Sequence, residues 1–277
     1  MILVLMLLLS PAPAAPDAPL PDKQVLRDRA LASLKKSEKD LEKYSCAVRT
    51  QEDELNSDGS VKKHKSREEE RFFVNGIEID HLLSRDGKPL SPADAKKEQD
   101  RVNYETKKYS NAKNVEKRHA EDEKEIDMFL TALRFTNERR EVRNGRNTIE
   151  VDLSGDPNFH AKNLEQRFAA AMVGHIWIDE ETGNIVEMHA QTDRDVKIGG
   201  GLIASVHKGF RVGLIQQREP DGVWIEKSVE GSGDARAALF LHPRFQFRED
   251  LDKCYTFSVD TQQSIRAPAA PSPAPKP

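Results

Sequence analysis

The chain has 277 residues, with 43 Lys and Arg set against 47 Asp and Glu, for a formal charge of -4 at neutral pH. At 37% hydrophobic and 32% charged residues it is not a polytopic membrane protein. The near balance of the two signs gives no general electrostatic reason to bind nucleic acid or an anionic membrane.

Residues 1–14 read as a signal peptide. Eight apolar residues run from Ile2 to Leu9, and Ala12-Pro13-Ala14 offers the small side chains that a signal peptidase accepts. The run is too short to span a bilayer, which needs about 20 apolar residues. No Cys follows it to carry a lipid anchor, so the expectation is an exported, periplasmic protein. Residues 15–21 form a Pro-rich linker, residues 22–266 a single domain, and residues 267–277, with Pro at five of eleven positions, an extended tail.

From Asp22 to Lys43, Val25, Leu31, Leu34 and Leu41 recur near helical spacing, with Asp22 placed as N-cap. Tyr44 to Leu55 and the segment ending at Val74 then read as two charge-rich strands around the turn Asn56-Ser57-Asp58-Gly59, with Ile77 to Leu83 as a third. Ser91-Pro92-Ala93-Asp94 opens a helix, with Ser as cap, Pro at the first position and Asp near the positive dipole end. Through Glu125, 18 of 35 residues are charged, which is the composition of a solvated helical insertion. The segment Ile126 to Phe135 brings apolar residues back to a core.

Beyond it, strands dominate. Asn144-Gly145 suits a type I′ turn between Glu141 and Leu153, and a short helix is expected near Asn163 to Met172. Further strands are read at His175–Asp179, Asn184–Thr192, Leu202–Val206, Phe210–Gln217, Val223–Val229, Ala237–Phe247 and Tyr255–Val259, about ten in all. Strands joined by short turns without crossover helices run antiparallel. The expected fold is α+β and mainly antiparallel: one strongly curved sheet, with the N-terminal helix and further helices over its concave apolar face.

Cys46 and Cys254 are the two cysteines. In an exported protein they suit one disulfide, which in the chain-entropy model is worth about 4 to 5 kcal/mol across so long a loop. Strand alternation argues the other way: Cys46 shares a face with Tyr44 and Val48, whereas Cys254 lies opposite Tyr255, Phe257 and Val259. A bridge and two buried free thiols both fit the sequence.

No G-x-S-x-G, H-E-x-x-H or Gly-rich phosphate loop occurs. Gly199-Gly200-Gly201 reads as a turn. His175 and His189, in one hairpin, are the histidines expected to be close, and both read as ordinary polar residues on the face opposite Val186 and Met188. The expectation is no enzyme, no cofactor and no metal. What remains is apolar: Phe129, Leu133, Trp177, Met188, Phe210, Val212, Leu214, Trp224 and Phe240 are read as lining a hollow able to take an acyl chain or a lipid-modified peptide.

The amphipathic helix, the Tyr-x-Cys strand at Tyr44, the run Asp86-Gly87-Lys88-Pro89-Leu90-Ser91, and Gly174-His175-Ile176-Trp177-Ile178-Asp179 with Thr182-Gly183 together resemble the LolA/RseB-like superfamily. In particular they are similar to bacterial outer-membrane lipoprotein-sorting proteins. The resemblance implies an unclosed half-barrel in the periplasm and a carrier or sensor of a lipid or lipoprotein. The charged helix at residues 91–125 is a long insertion relative to the compact carriers, and no position here matches the functional Arg of those carriers. The alternatives are an envelope scaffold with an envelope protein partner and a solid core, or an envelope hydrolase.

Overall fold

The structure is a computed structural model, described here over residues 19–198, 204–237 and 243–256. The expected signal peptide, the Pro-rich tail, Gly199-Gly200-Gly201 and Phe240 lie outside those residues. The chain builds α1 (Lys23–Leu41), β1 (Tyr44–Leu55), β2 (Val61–Val74), β3 (Ile77–Arg85), β4 (Lys88–Pro89), α2 (Pro92–Tyr109), α3 (Ala112–Thr131), β5 (Leu133–Arg143) and β6 (Arg146–Gly155). It continues with α4 (Leu164–Ala169), β7 (Met172–Asp179), β8 (Ile185–Thr192), β9 (Val196–Ile198), β10 (Ala204–Val206), β11 (Arg211–Arg218), β12 (Trp224–Ala237) and β13 (Arg244–Thr256).

Every strand pair is antiparallel, and the main path of the 13-stranded sheet runs β4-β3-β2-β1-β13-β12-β11-β8-β7-β6-β5, with β9 and β10 branching from β12. The two ends of that path do not pair with each other, so the sheet is unclosed. The charged insertion carries the chain from one edge, β4, to the other, β5. It is two helices rather than one, because Ser110 caps the end of α2 and the Asn111 side chain accepts the Lys113 N–H to start α3. His119 on α3 lies against the Asn75 carbonyl of the β2–β3 turn, and Ala132 at the far end of α3 opens into β5. The helix therefore reaches from one flank of the open sheet to the other. Among the described residues, no helix is long and apolar enough to cross a membrane.

Alternation along the strands gives the sheet two unlike faces. On one, Ile149, Val151, Leu153, Ile176 and Ile178 from β6 and β7 pack beneath Leu26 and Ala30 of α1. Leu41 at the other end of α1 rests on a second cluster, Tyr44, Cys46, Val48, Val223, Ile225 and Leu251. Leu26, Ala30 and Leu41 thus hold two distant parts of the sheet together, and their hydrophobic burial sustains the helix, whereas Val25 of the expected stripe is 48% exposed.

Three departures from simple alternation correct the sequence reading. A bulge between Ser45 and Ala47, with Lys253 at φ 49°, turns Cys254 onto the Cys46 side, and the two sulfurs are bonded across a separation of 208 residues. A second bulge at Trp177/Ile178 pulls Val186 away from the Met188 face and into a cluster with Trp177 and Trp224. Finally, β12 extends from Trp224 to Ala237 and β13 from Arg244 to Thr256, where the sequence reading had three shorter strands. The apolar segment expected to cover the sheet is divided likewise: α3 ends at Thr131, and Leu133 and Phe135 belong to β5.

On the α1 side, at the β1–β3 end, the sheet is charged instead of apolar. Arg71, whose side chain is 8% exposed, donates to Asp80 at 2.8 and 3.0 Å and pairs with Glu78 at 3.0 Å, Glu249 at 2.9 Å and Glu226 at 3.9 Å. One guanidinium among four carboxylates leaves an excess of negative charge. The crowding of protein around the Glu78 carboxyl, whose side chain keeps 47% of its exposure, is reinforced by Asp80, Glu226 and Glu249 and opposed by Arg71, and pushes it up to about 7 from an ordinary 4.5; burial raises Glu226 as well. The folded state therefore binds a proton that the unfolded chain has already released. Stability is fully present below about pH 4.5, declines as pH rises towards 7, and is flat above it. Urea midpoints should fall across that window in the wild type, and Glu78→Gln should remove most of the slope. An unchanged slope in the variant would locate the proton elsewhere.

Candidate functional site

A cavity of about 960 Å³ lies on the face opposite α1. Its walls come from eight strands, β5 through β8, β11 through β13 and β1, in which the residues between those of the apolar core point outward. The strand register makes this a row of polar neighbours. Asp152 pairs with His175, His175 with His189, His189 with Gly213, Gly213 with Glu230, Glu230 with Arg248 and Arg248 with Gln51. A parallel row runs Gln191, Arg211, Ser232, Gln246 and Asp53. The Glu230 and His189 side chains close over Gly213, where a Cβ would stand 3.2 Å from Glu230 and 3.4 Å from His189.

At one end the groups are tied into a network around Trp177. Its indole N–H donates to Glu141 at 2.8 Å, the Arg143 guanidinium stacks 4.4 Å from the ring centre, and the His175 and His189 rings lie 6.1 and 5.8 Å away. Arg143 also bonds Glu187 at 2.7 Å, and Glu187 in turn lies 2.6 Å from His189 Nε2. Arg143 holds the Glu187 carboxyl below its ordinary range, and the Trp177 N–H does the same for Glu141. Glu150 is raised, by burial first and then by its hydrogen bond with Glu141, so a proton added to that pair resides on Glu150. At the other end, Gln246 donates to Asp53 at 2.9 Å and Arg248 pairs with Glu230 at 3.0 Å. The groove thus presents hydrogen-bond donors and acceptors of both signs on rigid strands.

The residues read as lining an apolar hollow do not share one surface. Met188, Val212 and Leu214 are on the α1 side, where Met188 leans on the β6–β7 core. Leu133, with Phe129 and Val212, packs around Met172 and Ala190. Phe210 meets Phe168 edge-on at 5.4 Å and Phe245 at 6.0 Å. Trp177 faces the other way, because its neighbour Ile176 is the partner of Met188, and it is buried with Trp224. Of those named, Val212 borders the large cavity. The sequence reading passed over Gln51, Asp53, Gln191, Arg211, Glu230, Gln246 and Arg248. The available signal was the polar set of alternate positions in β8 and β11–β13, which reads as a wet sheet face until curvature is known. The His175 and His189 proximity read from the hairpin is present, as a direct cross-strand pair.

No protein-family model and no curated protein sequence matches the chain. Its structure is similar to that of a domain described as an outer-membrane lipoprotein-sorting protein from Vibrio parahaemolyticus, with a TM-score of 0.35, 8% identity, and 86% of this chain and 94% of that one covered. It is also similar to MucB in complex with the periplasmic part of MucA, with a TM-score of 0.23, 9% identity, and 83% and 94% covered. The MucA/MucB complex of Pseudomonas aeruginosa is a further match, with a TM-score of 0.22, 8% identity, and 83% and 99% covered.

Proposed function

We propose that this chain is a non-enzymatic, exported binding protein of the cell envelope that receives a polar, extended segment of a partner protein in the groove opposite α1. The observation that supports the reading is the position and chemistry of the 960 Å³ cavity: eight strands converge on it with His, Arg, Gln, Asp and Glu side chains. An acyl chain in contact with those groups would strip their water without replacing its hydrogen bonds. A polypeptide supplies a donor and an acceptor at every residue.

A second reading, the carriage of an acyl-modified partner, is favoured by the other face. There Phe210, Val212, Leu214, Val229, Phe245 and Phe247 are half-buried, and a smaller cavity of about 510 Å³ sets Phe245 and Phe247 beside Lys63, Lys65 and Arg67. Photo-reactive residues placed in living cells separate the two. Probes at Gln191 and Gln246, both exposed on the groove, should cross-link a defined protein, and that product should disappear when Arg211 and Arg248 are changed to Glu. Probes at Leu214 and Val229 should capture lipid if the second reading holds.

A further inference from the structure

We propose that Glu150, Asp152 and His175, at the margin of the groove, form a binding site for a first-row divalent cation, with Zn²⁺ the best match to the donors. Glu150 and Asp152 are two apart on β6 and so project from the same face, and His175 on β7 is the cross-strand neighbour of Asp152. One ligand atom from each lies within 4.8 Å of the other two. His175 Nδ1 stands 2.9 Å from Asp152 and 3.4 Å from Glu150. A tetrahedral ion with bonds of about 2.1 Å holds its ligand atoms about 3.4 Å apart, so the Glu150 spacing already fits and Asp152 needs to retreat by a fraction of an ångström.

The donor types narrow the choice. An imidazole with two carboxylates suits zinc and its neighbours, whereas calcium and magnesium take all-oxygen sets. The backbone atoms that carry the ligands are fixed by paired strands. Glu150 is buried, while the His175 side chain is 48% exposed, so the site is anchored on one side and reachable from the groove on the other. The fourth position faces the groove, where His189 is the cross-strand partner of His175.

The same groups also name the competitor. Arg139, on the edge strand β5, pairs with Glu150 and, at 3.4 Å, with Asp152, and Asn137 donates to Asp152 at 2.8 Å. The Arg139 side chain is 49% exposed, so it can leave its carboxylates for water when an ion arrives. The proposal does not depend on what the groove receives.

The test uses the whole exported chain, purified without a polyhistidine tag and titrated with ZnCl₂ by calorimetry and equilibrium dialysis. One equivalent should bind, and His175→Ala and Glu150→Gln should each weaken binding by about tenfold or more. His160→Ala, an exposed histidine outside the cluster, should leave it unchanged. Arg139→Gln should tighten binding, a gain that a misfolded variant cannot mimic. Ni²⁺ should quench the fluorescence of Trp177, 6.1 Å from His175, in the wild type but not in His175→Ala. No saturable Zn²⁺ binding by the wild type, or equal affinity in the wild type and the His175 and Glu150 variants, would overturn the assignment.

Discussion

Replacing both Cys46 and Cys254 with alanine is expected to lower the stability of the protein by about 5 kcal/mol, the figure that the chain-entropy model gives for so long a loop. The bridge spans 208 residues and fastens β1 to β13, the pair that joins the first strand of the chain to the last. Without it, that pairing must be found by a chain whose two strands are separated by almost the whole fold, and the entropy of closing the loop falls on the folding step. A domain is commonly stable by only about 5 to 15 kcal/mol in total, so the variant should be partly unfolded at ambient temperature. Urea denaturation of the variant, compared with the oxidised and the reduced wild type, measures the effect. Agreement of the reduced wild type with the variant, both far below the oxidised protein, is the expected pattern; a loss below about 1 kcal/mol would show that the α1 and Leu251 contacts hold β1 and β13 together unaided.

Arg71→Met should cost about 3 kcal/mol, the lower end of what breaking a buried ion pair costs, because several of its partners retain some water. The side chain is nearly inaccessible and meets Asp80, Glu78, Glu249 and Glu226 at once. Methionine fills much of the volume but leaves the carboxylates facing one another without a cation. The loss should shrink at low pH, where those carboxylates are protonated, and should be partly repaired by adding Asp80→Asn and Glu249→Gln. Thermal melts at two pH values decide it. A loss that is equal at both, and unrepaired in the triple variant, would mean that Arg71 acts by packing alone.

The sequence made the antiparallel sheet legible because its turns are written in residues that tolerate positive φ. Asn144 and Gly145 sit at φ 50° and 74° where the type I′ turn between β5 and β6 was read. The start of α2 was equally plain, since the Ser91 side chain accepts the Asp94 N–H as the cap spacing implies. What alternation could not carry across was any position beyond a bulge. A single inserted residue reverses every later side chain, which is why Cys254 read as facing away from Cys46 and why Val186 read as a neighbour of Met188. The site was less legible for a different reason. Trp177 and Met188 are both large and apolar, and only the cross-strand register, with Ile176 opposite Met188, shows that they serve opposite faces. The polar row from Asp152 to Gln51 is spread over seven strands, and no stretch of sequence displays it.

Which face of the sheet touches the partner is the question on which the functional account turns, and paired photo-cross-linking on the two faces answers it most directly. Probes at Gln191 and Gln246 should give a protein product at several times the yield from Leu214 and Val229. A lipid product from the latter pair, with nothing captured in the groove, would contradict it.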